Sequence, residues 1–164
     1  MSDYAVRQAR PEEMAQLAAM RERLGRHLKQ HDPGIWELSS EEMAHQAERY
    51  SDVAASGKGC VLVAVDGADR PVGMIVVRLL ENPRIEPGRF GRVDDAWVEP
   101  GHRRHGLMRR LIAAAAEYCE QNGFDRVMLD WSVKNVPSAR CWRGIGFRPL
   151  VVVGMAGTGD LRRQ

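Results

Sequence analysis

The sequence predicts one α/β domain of the α+β type, a mixed sheet with helices on both faces. Three observations lead there. The chain has 164 residues, enough to bury a single core without disulfide or metal staples. Two runs, "CVLVAVD" (60–66) and "PVGMIVVRLL" (71–80), are almost continuously apolar, the texture of strands buried on both faces. The elements follow the order β-α-α-β-β-β-α-β-α-β, mixed rather than strictly alternating, which argues against a simple doubly wound fold.

The elements follow from local signals. Residues 4–9 read as a short strand, and Pro11 suits the first turn of a helix, with Glu12 and Glu13 near its positive end. Met14, Leu17, Ala18 and Leu24 form an apolar stripe interrupted by Arg21. The segment "LGRHLKQHDPGIWEL" (24–38) carries Gly25, Pro33 and Gly34 and reads as irregular. Ser39-Ser40 followed by Glu42 signals the cap of a second helix reaching about Ser56. The two apolar strands are joined by "GADR" as a hairpin. A polar loop, "ENPRIEPGRFG", leads to the strand "RVDDAWVEP" (92–100), which holds two carboxylates. From Gly106 to Asn122 the residues Leu107, Leu111, Ala115 and Cys119 recur every four, a helix closed by Gly123. "DRVMLDW" (125–131) is the next strand, residues 138–145 a short helix, and "RPLVVVGM" (148–155) a last strand before a loose tail. The β-α-β crossover of useful length spans about residues 93–131.

Composition narrows the function. A formal net charge of +2 argues against a general nucleic-acid binder. Cys60, Cys119 and Cys141 are odd in number and far apart, which suggests neither a disulfide framework nor a zinc site. With no apolar run long enough for a leader or a membrane span, the expected compartment is the cytoplasm, with no membrane partner.

The run "WVEPGHRRHGLMRRL" (97–111) carries the strongest local signal. It holds six basic residues, counting two His, and sits at the first turn of the crossover. A helix N-terminus leaves about four N–H groups unpaired and carries roughly half a positive charge. Gly106 lets the backbone approach a ligand closely, so Arg103, Arg104, His105, Gly106, Leu107 and Met108 would wrap a phosphate. The side chains of Arg103, Arg104, Arg109 and Arg110 would meet further phosphates. Alone, the run is equally compatible with a solvated basic patch.

The motif R-x-x-G-x-M after "VEPGH" resembles the pyrophosphate loop of the GNAT (Gcn5-related N-acetyltransferase) superfamily. A second block, "NVPSARCWRGIGF" (135–147), resembles that family's N-x-x-A-x-x-x-Y-x-x-x-G-F segment at the expected separation. The resemblance implies a GNAT-like splayed sheet: one domain over 1–164, with acceptor-side helices in 1–57 and the sheet and acyl-CoA-binding part in 58–153. It implies acetyl-CoA as co-substrate, without a metal. The pantetheine arm would pair with the backbone at Trp97 and Val98, and Asn135 would bond the same arm. Asn135 also reads as an ordinary helix N-cap, and both roles are compatible. Met108 and Ser138 depart from the family's small residues. Trp142 replaces the Tyr that protonates the leaving thiolate in many relatives, and an indole N–H cannot deliver a proton near neutral pH.

The expected activity is transfer of the acetyl group to a primary amine of a small molecule or peptide by direct attack. The alternative is a GNAT-fold module that binds acyl-CoA without transfer, and a weaker one is nucleic-acid binding by the basic run. An amine of reference pKa near 10.4 is neutral in only about one molecule in 10³ at pH 7, so removing its proton is worth roughly 4–5 kcal/mol. Asp94, in an acidic pair resembling that of polyamine-type relatives, is the candidate base or else an acidic rim. Strand alternation would send Asp95 to the opposite face, as a structural residue. Asp130 is a third carboxylate, Cys141 reads as inert, and His31, Trp36 and Tyr50 belong to the acceptor side. A sheet with a single strand after "GF" leaves an edge for a second copy, hence an expected homodimer.

Overall fold

The computed structural model describes residues 3–162. Five strands form one mixed sheet in the order β1-β2-β3-β4-β5: β1 (Ala5–Gln8), β2 (Gly59–Val65), β3 (Pro71–Glu81), β4 (Arg89–Val98) and β5 (Val127–Met128). The first four are antiparallel neighbours, and β5 lies parallel to β4. The helices are α1 (Met14–His31), α2 (Ser40–Ala44), α3 (Gln46–Ala55), α4 (Leu107–Gln121), α5 (Val136–Ile145) and α6 (Thr158–Leu161).

Every residue of β2 and the first seven of β3 are buried, as continuous apolarity requires. One face of the sheet meets α1 and α3 through Leu17, Met20, Tyr50, Val63, Val76 and Trp97. The other meets α4 and α5 through Ile75, Val77, Val98, Leu111, Ala115 and Trp142. Among the described residues no helix is long and apolar enough to cross a membrane.

Four expectations need correction. First, α1 runs through the segment read as irregular: Gly25 costs about 1 kcal/mol in a helix. Leu24 packs against the core one turn before Leu28, so the helix continues. It stops at Asp32, which is extended (φ −143°) ahead of Pro33. Second, the single helix expected after Ser39 is two, broken at His45 (φ −99°, ψ 7°), although Ser39 Oγ caps the first by accepting the Glu42 N–H at 3.2 Å. Third, β5 is two residues long, because it pairs only with Gly91 and Arg92 before β4 turns away. Fourth, residues 148–155 form no strand, and Leu150, Val151, Val152, Val153 and Met155 are each at least 74% exposed. Part of the tail read as loose forms α6, and its last two residues lie outside the described range.

The α4 helix lies close against β4. A Cβ on Gly91 would stand 2.2 Å from the Sγ of the buried Cys119. Gly91→Ala is expected to lower stability by about 1–3 kcal/mol through overpacking, with Cys119→Ala in the same chain returning at least half. Thermal unfolding of the two variants and their combination measures both effects.

Candidate active site

The site begins with a break in pairing. Asp95 is opposite Val76 and Val93 is opposite Val77, so Asp94 is an extra residue, a β-bulge in β4. Beyond Arg92 no strand of the described residues lies beside the outer edge of β4, and a cleft of about 740 Å³ opens there. Leu24, His27 and Leu28 of α1 form one wall of it, and Leu129 and Trp131 another. Asp32, at the end of α1, spans to the loop before α5, accepting bonds from Ser132 Oγ (3.2 Å) and Lys134 Nζ (3.0 Å).

Gly106 caps α4 with a left-handed backbone (φ 73°), and Arg104 shares that region (φ 71°). No side chain of the described residues caps this helix. Its first internal bond runs from the Arg110 N–H to the Gly106 carbonyl at 3.1 Å, which leaves the Leu107, Met108 and Arg109 N–H groups available to an anion. The basic side chains are differently employed from the expectation. Arg103 donates from Nε to the Val98 carbonyl (3.0 Å) and lies 4.7 Å over the Trp97 ring. Arg109 donates to the Gly144 carbonyl (2.6 Å) and Arg110 to that of Tyr4 (2.8 Å). Arg104 alone of the four has no hydrogen bond or ion pair among the described residues. His105 packs on Tyr4, whose hydroxyl meets His102 Nδ1 at 3.0 Å. The run is therefore largely a braced loop rather than a free basic patch.

Asn135 is 3% exposed, lines the cleft, and caps α5 by accepting the Ser138 N–H at 3.2 Å. Trp142 also lines the cleft, edge-on to Phe147. The side chain of Trp97 turns to the α1 face of the sheet, and its backbone and that of Val98 border the cleft. Met108 finds room, half-buried against the α4-side core.

The two aspartates do not part to opposite faces as alternation predicts. Asp95 is opposite Val76, and Asp94 reaches Arg78 and Arg92, which share the face of Val76. The extra residue of the bulge resets the alternation. Asp94 lines the cleft with its carboxylate gripped by Nε and Nη2 of Arg78 and with Arg92 Nε 3.6 Å away. Asp95 is buried, accepts from the Tyr50 hydroxyl at 2.9 Å and is ion-paired with Arg21 Nε at 2.7 Å. Burial raises its carboxyl above the usual range against the pull of those two partners. Burial and the Asp95 charge likewise push the Tyr50 phenol far up, so Tyr50 is a buried strut and no proton donor. Asp130 accepts two bonds from Arg92 Nη2, both 2.9 Å. Desolvation raises the Cys141 thiol, although the residue as a whole is exposed, which leaves little thiolate. Trp36 is 63% exposed. His27 stands on the cleft wall because α1 continues through a segment whose Gly25, Pro33 and Gly34 predict irregular structure.

The fold is a mixed sheet whose β4 edge opens beside the N-terminus of α4, a helix start that no side chain of the described residues caps. Residues 22–147 match the Acetyltransferase (GNAT) family, and the chain belongs to it. It is 19% identical over 124 residues to N-acetyltransferase 8 of Homo sapiens, covering 71% of this chain and 54% of that protein. The chain thus spans about half the length of the curated relatives it matches. Among solved structures, a tetramutant of the BH1408 protein from Bacillus halodurans superposes with a TM-score of 0.80 at 18% identity, covering 93% of this chain and 99% of that one. A predicted acetyltransferase from Clostridium acetobutylicum, determined with acetyl-CoA, gives 0.72 at 15% identity, with 96% and 98% covered.

Tyr50→Phe removes a donor from a buried carboxylate, at an expected cost of about 1–3 kcal/mol. The sign with pH follows from the raised folded-state value of Asp95: its share of stability falls as pH rises from the unfolded value of about 3.8 through the folded one. Denaturant unfolding at pH 4 and pH 7 should therefore show the larger loss in Tyr50→Phe at pH 7.

Proposed function

We propose that this chain is an N-acetyltransferase that moves the acetyl group of acetyl-CoA to a primary amine of a small molecule or peptide by direct attack. The observation that carries the reading is the open edge of β4 running into the N-terminus of α4, where left-handed Gly106 and the free N–H groups of Leu107 and Met108 suit a pyrophosphate. The backbone of Trp97 and Val98 would hold the pantetheine arm, with Asn135 across from it. Arg103 would serve by bracing Val98, and Arg104 and His105 by facing the phosphates. Trp142 would pack beside the thioester as an apolar wall. The acceptor side is built by 1–57 and the acyl-CoA side by 58–153, together one catalytic domain. The bracing of Arg103, Arg109 and Arg110 speaks against nucleic acid as the ligand. All three cysteines are free thiols, which suits the reducing cytoplasm.

Asp94 is better suited to an acidic rim than to a base, since it takes a proton only by displacing a guanidinium. The rim, Asp94 with Asp130, would attract a cationic amine. Release of free thiol from acetyl-CoA, measured with polyamines, aminoglycosides, amino acids and short peptides, tests the whole reading. One class of amine should stimulate release, and Asp94→Asn should keep kcat within about tenfold while raising KM for the amine. Bound acetyl-CoA with no release from any amine would favour the binding module instead, which Trp142 at the acid position already suggests as the second reading.

The same chain is proposed to form a homodimer. The exposed run Leu150, Val151, Val152, Val153 and Met155 is longer than an isolated surface normally leaves open, and β5 offers an unpaired edge. Sedimentation at micromolar concentration is expected to show a dimer that Val152→Lys converts to monomer.

A further inference from the structure

The acceptor amine must lose a proton, and the geometry points to His27 as the base that takes it, an inference that rests on the transferase reading above. His27 lies one turn before the C-terminal end of α1 and lines the cleft, as do residues of α5. Its ring is edge-on to Trp97, centroids 5.5 Å apart, which places it beside the stretch of β4 backbone where the thioester arm would pair. Neither ring nitrogen is hydrogen-bonded to any described residue; only its carbonyl is used, accepting from His31 Nδ1 at 3.0 Å. A base needs a free lone pair within reach of the substrate.

The other titratable groups of the cleft are engaged by a partner or keep their proton. Asp94 is gripped by Arg78, and Asp130 by Arg92. His102 is bonded to Tyr4 at the phosphate end, and the Cys141 thiol is raised. The charged or titratable groups around His27 are His31 on its own helix and Arg103 from the loop after β4, while Trp97 of β4 is neutral. Burial first, then those two neighbours, hold the imidazole below its ordinary value, so it is neutral at pH 7. A neutral imidazole at that pH is a competent acceptor, whereas an arginine-paired carboxylate is not free to act.

The protons balance as follows. His27 takes one proton from the ammonium, which frees the nitrogen lone pair. The C–N bond forms as the C–S bond breaks, the second nitrogen proton goes to the departing sulfur directly or through water, and His27 returns its proton to solvent. The products are the amide, the free thiol of CoA and one proton.

The test compares wild type, His27→Gln and His31→Gln in the amine-stimulated thiol-release assay from pH 5 to 9. Acetyl-CoA affinity is measured by calorimetry, and the His27 imidazole is titrated by NMR. His27→Gln is expected to lose about 10²-fold or more in kcat, with acetyl-CoA affinity within about threefold and an unchanged melting temperature. The wild-type kcat/KM should fall on an acid limb below about pH 6.5 that matches the NMR titration of His27 and is missing in His27→Gln. His31→Gln should move that limb upward, because a neighbour that helps hold the His27 imidazole down has been removed. If His27→Gln misfolds, the wild type alone decides: an acid limb that matches the NMR titration of His27 supports the assignment, and a limb that does not match it overturns the assignment. A transferring wild type whose His27→Gln form keeps its rate and its acid limb overturns the base assignment alone. A wild type that binds acetyl-CoA and transfers to no amine overturns the transferase reading, and the assignment falls with it.

Discussion

The bulge at Asp94 is the constraint on which the rest of the site depends. A single extra residue opposite Val76 and Val77 bends β4 away from β5 just after Arg92. Without that bend β5 would continue alongside, and the backbone of residues 93–98 would have no open edge. The bulge is fixed from beneath by a buried carboxylate. Asp95 is costly to bury, and the Tyr50 hydroxyl and Arg21 offset that cost only if α1 and α3 are in place. The cleft is thus tied to both acceptor-side helices through one side chain.

The phosphate end is organised by bracing. Arg103, Arg109 and Arg110 donate to the carbonyls of Val98, Gly144 and Tyr4, which connect the loop to β4, α5 and the chain's N-terminal part. A guanidinium that donates to a carbonyl keeps its charge but has fewer donors and less freedom to meet a ligand. In the proposed role the loop would bind chiefly through backbone N–H groups oriented by left-handed Arg104 and Gly106. A rigid cradle of this kind loses little conformational freedom when an anion arrives.

The α1 side of the cleft is the opposite case. It is bounded by α1 and by the link from Asp32 to Ser132 and Lys134. Its polar groups are mostly paired among the described residues, and the imidazole of His27, the base proposed above, is an exception. Packing on Trp97 keeps that ring both partly desolvated and oriented.

What the sequence determined by itself was whatever depends on local pattern. Continuous apolarity in 60–66 and 71–80 means burial on both faces, and the four-residue recurrence from Leu107 to Cys119 means a helix against the sheet. The motif from Arg103 to Met108 and the block from Asn135 to Phe147 are short, contiguous and tied to backbone shape, so they are legible without a fold. Tertiary structure alone decided what depends on a partner distant in the chain. The face of Asp94 follows from a bulge that no alternation rule foresees. The shortness of β5 follows from where β4 diverges, and the exposure of residues 148–155 from the absence of a neighbouring strand among the described residues. The place of His27 depends on α1 continuing past Gly25, because contacts of Leu24 and His27 with the core and Trp97 outweigh a weak local propensity. Local preferences are worth tenths of a kcal/mol to about 1 kcal/mol per residue, and packing contacts exceed them.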